Sequence, residues 1–253
     1  MIFKTSRKIY AHIDCDSFFA ACEIYRNPAL KKKYVCVGRD VTIACCYRSK
    51  SKGIKVGTPF WEIQRMLGCQ AVCLEPDMWL YGRISERFMN FLREETREVQ
   101  VFSIDEAFVD ITGIAESQSL SLEQYIADLQ KRIKDSIGIP VSLWVSNTKL
   151  RAKIFSKINK PYGYFIGLDI DEINEAFRNI PVWAIPFIGH GYQRRLAYNI
   201  QTIYDFKTRN IHYFKKLIGK HATHIWFELN GVNSMEFHKK ATHKSISKTR
   251  SFN

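Results

Sequence analysis

A chain of 253 residues that is 46% hydrophobic can close a real core, which excludes disorder, and it exceeds the usual single domain, so one large unit plus a smaller appendage is expected. No stretch approaches the roughly 20 apolar residues of a membrane span, and the opening MIFKTSRKIY leads into a strand rather than a signal-peptide core, so a soluble chain with no membrane partner is expected. The formal charge of +13 is lopsided: residues 1–141 hold 20 Lys/Arg against 18 Asp/Glu, whereas residues 142–253 hold 18 against 7, which makes the second half a polyanion binder by its electrostatics.

In chain order, Ile9 to Ile13 alternates and ends in Asp14, which reads as a strand, and Asp16 to Glu23 opens a short helix that stops before Pro28. Tyr34–Gly38 and Thr42–Cys46 read as short strands, Thr58–Leu67 as a helix with Pro59 at its start, and Ala71–Leu74 as a further strand. All seven cysteines fall within the first 73 residues without a C-x-x-C pair. That distribution suits reduced thiols used as small apolar side chains in a cytoplasm, not a disulfide framework or a zinc knuckle.

From Trp79 to Glu98 the apolar set Leu80, Ile84, Phe88, Phe91 and Leu92 recurs at helical spacing. Val99–Ser103 and Ala107–Ile111 then form two strands hinged at Ile104-Asp105-Glu106, followed by a helix over Leu122–Ile137 and a strand at Val141–Val145. With the excursion between Phe19 and Asp77 set aside, the order is βαββαβ. The expected fold is therefore α+β with a ferredoxin-like layer, in which the first strand lies beside the central hairpin and brings Asp14 to Asp105 and Glu106. Ser146-Asn147-Thr148-Lys149 caps a helix to about Ile158, Lys160-Pro161-Tyr162-Gly163 makes a turn, and helical patterns at 171–178, 189–199, 210–218 and 222–230 follow. Gly189-His190-Gly191 after Pro186-Phe187-Ile188 suits a helix-hairpin-helix-like turn whose backbone N–H groups face a DNA phosphate.

Three carboxylates on one sheet edge repel unless cations neutralise them, so their convergence implies hard ions with oxygen ligands, here Mg²⁺. Two such ions about 4 Å apart can activate a 3′-hydroxyl and stabilise leaving pyrophosphate. On pattern alone, the same residues serve equally as a helix cap at Asp14 and Asp16 and a polar turn at Asp105 and Glu106.

The longer strings decide between these readings. Asp14-Cys15-Asp16-Ser17-Phe18-Phe19-Ala20-Ala21-Cys22-Glu23 and Ser103-Ile104-Asp105-Glu106-Ala107-Phe108-Val109-Asp110 closely resemble the two catalytic motifs of Y-family DNA polymerases of the DinB and UmuC types. The resemblance continues through Tyr47 to Pro59, Ser146 to Lys149 with Ala152-Lys153, Lys160 to Gly163, and Ile185 to Gly189. It implies a palm over 1–18 and 78–165, inserted fingers over 19–77, a helical thumb over 166–240, and over 241–253 the start of a linker to a little-finger domain that the chain does not reach. The implied activity is template-directed transfer of dNTPs to a primer 3′-hydroxyl, in translesion synthesis within DNA repair and the SOS response.

By the same resemblance, Asp14, Asp105 and Glu106 with the backbone carbonyl of Cys15 hold two Mg²⁺ ions, and Phe18, Phe19, Tyr47, Lys50 and Lys160 bind the nucleotide. Phe19 is the side chain that excludes a ribose 2′-hydroxyl, while one of Phe18 and Phe19 belongs to the core. Lys149, Lys153, Gly189 and Gly191 contact DNA. Tyr47-Arg48-Ser49-Lys50 stands where many members have Tyr-Glu-Ala-Arg, a change that loses the planar fork of Arg and is similar to UmuC types. Phe187 stands where Gly is frequent in the thumb hairpin. Primer-template DNA and dNTPs are the implied partners, together with UmuD-like or RecA-like proteins, whereas sliding-clamp contact is not expected without the C-terminal region. Two other readings compete: a weakly active or non-catalytic DNA-binding remnant, which the intact carboxylates disfavour, and a nucleotide cyclase on the same palm layer, which leaves the basic second half unexplained.

Overall fold

The computed structural model describes residues 8–96, 98–186, 188–196 and 199–234; Phe187 and the expected linker at 241–253 lie outside the described residues. Strands β1 (Tyr10–Cys15), β2 (Tyr34–Gly38), β3 (Thr42–Cys45), β4 (Ala71–Leu74), β5 (Val99–Val101), β6 (Glu106–Asp110), β7 (Val141–Ser146) and β8 (Tyr164–Gly167) make two sheets, ordered β5-β6-β1-β7-β8 and β3-β2-β4. In the larger sheet the pairs β5·β6, β6·β1 and β1·β7 are antiparallel, the ferredoxin-like arrangement expected from the element order. β8, which follows the expected turn at Lys160–Gly163 and was not expected as a strand, adds a parallel strand beside β7.

Alternation along β1, β6 and β7 sorts side chains onto two faces. Ala11, Ile13, Cys15, Ala107, Val109, Val141, Leu143 and Val145 face one way and join the main core, where the helices Met78–Glu95 and Leu122–Ile137 supply Tyr81, Ile84, Phe88, Leu92, Tyr125, Leu129 and Ile133. Local chemistry marks the start of both helices and the end of the second. The Asp77 side chain accepts from Leu80 N at 3.0 Å, Ser121 and Gln124 form a reciprocal capping box, and Gly138 takes the left-handed conformation (φ 76°) after Ile137.

His12, Asp14, Glu106, Phe108, Ser142 and Trp144 occupy the opposite face, since β1 is registered with Asp14 opposite Glu106 and Ser142, and His12 opposite Phe108 and Trp144. A one-residue slip would exchange the two sets, so the hydrophobic pattern fixes which face carries the acids. The helix Lys149–Ile154, capped by Thr148, leads from β7 into a second core built around Phe155, Phe177, Phe206 and Phe214. Around that core lie helices Ile170–Asn179, His190–Leu196, Ile203–Thr208, Ile211–Ile218 and His221–Leu229. No helix among the described residues is long and apolar enough to cross a membrane.

The smaller sheet holds the cysteine-rich segment. Cys36 pairs with Cys45 antiparallel and with Cys73 parallel, and all seven cysteines are free thiols. β3 ends one residue earlier than expected because Cys46 becomes the N-cap of a single helical turn, Tyr47–Lys50.

Candidate active site at the acidic edge of the larger sheet

Asp14 lies one residue short of the end of β1, and Glu106 opens β6 directly opposite it. The expected strand at Val99–Ser103 stops at Val101 because Phe102 N and Ser103 N both turn inward to the Glu106 carbonyl, at 3.0 and 3.1 Å. That irregular turn projects Asp105 beyond the pairing, and its carbonyl is tied to Cys15 N at 2.8 Å. The Ser103 hydroxyl donates to the Asp105 carboxylate. All three acids thus come to one edge through the register of β1 and β6.

Each of the two strand acids meets a lysine. Lys160 bonds Asp14, and Lys153 bonds Glu106. Aromatic rings support both ammonium groups, with Lys160 5.1 Å from the Trp144 ring centroid and Lys153 5.0 Å from that of Phe102. As they stand, Asp14 and Glu106 each hold a lysine, and the acids form no ready-made metal cluster among the described residues.

Burial raises the Asp14 carboxyl to about 6; Lys160 opposes the rise, while the charges of Asp105 and Glu106 add to it. Burial pushes Glu106 the same way, but the hydrogen bonds from His12 and Lys153 and the Lys153 charge outweigh it and hold the carboxyl near 2. Two neighbouring carboxylates are therefore driven apart by their surroundings. His12 is lowered to about 4, chiefly by burial, so at neutral pH its contact with Glu106 at 3.0 Å is a neutral N–H donating to a carboxylate and not an ion pair.

Asp16 does not cap the helix Phe18–Arg26, whose N-cap is Ser17 without a side-chain hydrogen bond. Instead it is buried and accepts from Tyr47 Oη at 3.2 Å, Ser142 Oγ at 2.8 Å and Tyr162 N at 2.8 Å. It thereby ties β7, the loop carrying Lys160, and the turn Tyr47–Lys50 to the end of β1. Lys50 donates to Ser17 Oγ at 2.8 Å and lies 4.3 Å from the centroid of the Tyr47 ring. Tyr47, Lys50 and Lys160 thus surround the same edge.

The two phenylalanines divide. Phe18 is only 4% exposed and belongs to the main core, so its side chain is not placed for a nucleotide contact. Phe19 is half-buried, with its ring stacked on Tyr81 at 4.4 Å and 13°, and Tyr81 in turn donates to Glu23 at 2.7 Å. Lys149, expected among the DNA contacts, is 3% exposed and donates to Gln100 at 2.9 Å, which places it inside the molecule in this conformation. Gly189 and Gly191 are exposed at the start of His190–Leu196. A cavity of about 860 Å³ opens between Lys153, Phe102 and Phe108 on the sheet side and Tyr192, His221 and Ile225 on the helical side.

His12, Tyr81 and Ser142 were missed by the sequence reading. For His12 a signal existed: it stands two residues before Asp14, so the strand period puts both on one face.

The arrangement of sheet, inserted small sheet and helical C-terminal part is that of known proteins. A Y-family DNA polymerase chimera, Dbh-Dpo4(243-245)-Dbh, superposes with a TM-score of 0.78 at 27% identity, over 92% of this chain and 70% of that one. The insertion ternary complex of Dbh DNA polymerase gives 0.77 at 27% identity, over 90% and 69%. In sequence, DNA polymerase IV of Brucella melitensis is 29% identical over 248 residues, and that of Caulobacter vibrioides 29% over 247, each covering 96% of this chain. This chain spans 55% and 61% of those two relatives, little more than half their length.

The palm, fingers and thumb architecture with an acidic edge on the palm sheet defines the Y-family DNA polymerase class. Residues 13–157 match the impB/mucB/samB family, and the chain belongs to that family.

Proposed function

We propose that this chain is the catalytic part of a template-directed DNA polymerase that adds deoxynucleotides to a primer 3′-hydroxyl during translesion synthesis. The observation that carries the reading is the convergence of Asp14, Asp105 and Glu106 on one palm edge, ringed by Lys160, Lys50 and Tyr47. Hard oxygen donors of this kind suit divalent ions, and burial already disfavours a lone charge on Asp14, with the neighbouring Asp105 and Glu106 adding to that cost. Asp14, Asp105, Glu106 and the Cys15 carbonyl would hold two Mg²⁺ ions. When bound, these supply Lewis-acid activation of the primer hydroxyl and of the leaving pyrophosphate.

The chain's own groups do the remaining work. Lys160, Lys50 and the Tyr47 hydroxyl take up phosphate charge once the lysines exchange their present partners for a triphosphate. Phe19, backed by Tyr81, walls the sugar. Lys153 borders the cavity between palm and thumb, which offers the primer strand an aromatic floor, and the exposed backbone at Gly189 and Gly191 offers a phosphate contact further along. A cytoplasmic setting belongs to the same reading.

Primer extension on a short template tests it. With Mg²⁺ and dNTPs at low salt, where phosphate contacts are strongest, extension should appear and stop on addition of a chelator. DNA binding without any extension would defeat the catalytic reading and leave a DNA-binding remnant.

Phe19→Ala should raise ribonucleotide incorporation relative to deoxynucleotide on the order of 10- to 100-fold, because the wall against a 2′-hydroxyl is apolar and steric. Single-nucleotide insertion kinetics measure the ratio. An unchanged ratio would remove Phe19 from this role.

A further inference from the structure

β1 turns His12 and Asp14 toward the same face of the sheet. The imidazole is wholly buried, with ring centroids 4.9 Å from Phe108 on one side and 5.6 Å from Trp144 on the other. Its Nδ1 is buried and has no hydrogen-bond partner among the described residues. Its Nε2 is 3.0 Å from Glu106 Oε2 and, more distantly, 3.4 Å from Lys153 Nζ, which bonds the same carboxylate oxygen. An imidazole facing a carboxylate carries its proton on the nitrogen that faces it, so Nε2–H donates and Nδ1 is left without a partner. An apolar ring in this stack would avoid burying that nitrogen, so packing alone does not explain a histidine here.

Lys153 bonds the same Oε2. Glu106 Oε1 receives no hydrogen bond among the described residues, so one oxygen of the carboxylate is pinned and the other is uncommitted. Carboxylates that ligate metals are oriented by such outer hydrogen bonds.

We propose that His12 is a positioning residue for Glu106: its Nε2–H, held rigidly between Phe108 and Trp144, fixes the carboxylate so that Oε1 is available as a metal ligand. The proposal rests on the reading of Glu106 as a ligand given above. Lys153 is a flexible chain with other possible partners at the cavity, whereas His12 has no freedom to turn away, so the orientation survives when Lys153 moves to DNA.

The test uses the full chain with two variants. His12→Phe keeps the ring and removes the donor, and His12→Gln returns an amide N–H near the position of Nε2. Mn²⁺ binding by calorimetry and single-nucleotide insertion kinetics are measured for each, with Glu106→Gln as the reference. His12→Phe should weaken Mn²⁺ binding about 10- to 100-fold and lower kcat by a similar factor, with the dNTP KM changed by no more than about twofold. His12→Gln should recover most of both losses.

A merely structural role would shift the melting temperature without separating Gln from Phe in metal affinity. Wild-type Mn²⁺ binding by His12→Phe, or a Gln variant no better than Phe, overturns the proposal. If Glu106→Gln itself leaves metal binding and insertion intact, the reading of Glu106 fails; if Glu106→Gln abolishes both while His12→Phe is silent, only the positioning role falls. Should His12→Phe fail to fold, His12→Asn replaces it, since its amide is too short to reach Oε2 and the same losses are expected.

Discussion

Asp105→Ala should abolish measurable extension, lowering kcat by about 10³-fold or more, equal to about 4 kcal/mol of barrier, while leaving the fold intact. The structure makes this the cleanest of the three acids to remove. Asp14 and Glu106 hold lysines, so their loss would also leave an ammonium group without its partner. Asp105 makes no ion pair among the described residues. Its side chain takes only the Ser103 hydroxyl among these residues, and the rest of what anchors its turn is backbone: its carbonyl accepts from Cys15 N at 2.8 Å, and Phe102 N and Ser103 N hold the Glu106 carbonyl. Alanine preserves all of these backbone bonds. It also removes a charge that helps to raise the Asp14 carboxyl, so the melting temperature should stay level or rise. Primer extension beside a thermal melt reads both effects. Retained extension in a folded variant would show that the edge acids are a polar turn and not the catalytic centre, and lost extension accompanied by a collapsed melting temperature would withdraw Asp105 as a clean probe of chemistry.

Much of this site was legible in the sequence because strand alternation and element order are strong signals. β1 ending in Asp14 and a hairpin centred on Asp105 and Glu106 sufficed to bring three acids together across distant parts of the chain. Harder to read were the groups that reach the site from loops. Tyr47 and Lys50 arrive through a single helical turn that no periodicity of a four-residue segment reveals. Asp16 looked like a helix cap from its place before Phe18, yet tertiary partners at Ser142 and Tyr162 claim it. β8 was hidden because Pro161 and Gly163 mark a turn so clearly that the four residues after them carry little pattern of their own. In the helical part, Thr202 and Asp205 form a capping box, but with Asp in place of the usual Glu or Gln, and the six-residue helix that follows was overlooked.

The placement of Lys149 and Phe18 shows a different limit. A lysine in a basic segment reads as a surface contact and an aromatic beside a catalytic acid reads as a substrate wall, because sequence gives residue type and spacing but not depth. Lys149 lies at the seam where the palm helix Lys149–Ile154 meets the thumb, and its Gln100 partner lies on the far strand of the hairpin. Phe18 and Phe19 differ by one helical step of 100°, enough to send one into the core and leave the other at the rim beside Tyr81.

The same seam carries the largest expected stability effect. Arg151 is 2% exposed and lies on the helix that leaves β7. Its Nη2 and Nε donate to the Leu229 carbonyl at 2.8 and 3.2 Å, and its Nη1 donates to Asn147 Oδ1 at 2.8 Å. Leu229 ends the last described helix, so the guanidinium closes the negative end of that helix as well as crossing from palm to thumb. Around it Thr148 Oγ1 donates to the Glu228 carbonyl at 3.0 Å, and Leu150 N donates to the Glu228 carboxylate at 3.3 Å. Arg151→Met fills the space but strips buried acceptors of their donors and disturbs the charge balance near Glu228, which is also buried. Destabilisation of about 3–5 kcal/mol is expected, the scale for removing one member of a buried charged network. Arg151→Lys should recover less than half of that, because a point charge cannot serve two acceptors in the plane of the fork. Urea denaturation measures both: a loss under about 1 kcal/mol for Arg151→Met, or full recovery by Lys, would mean that packing of Leu150 and Ile225 and not the guanidinium joins thumb to palm.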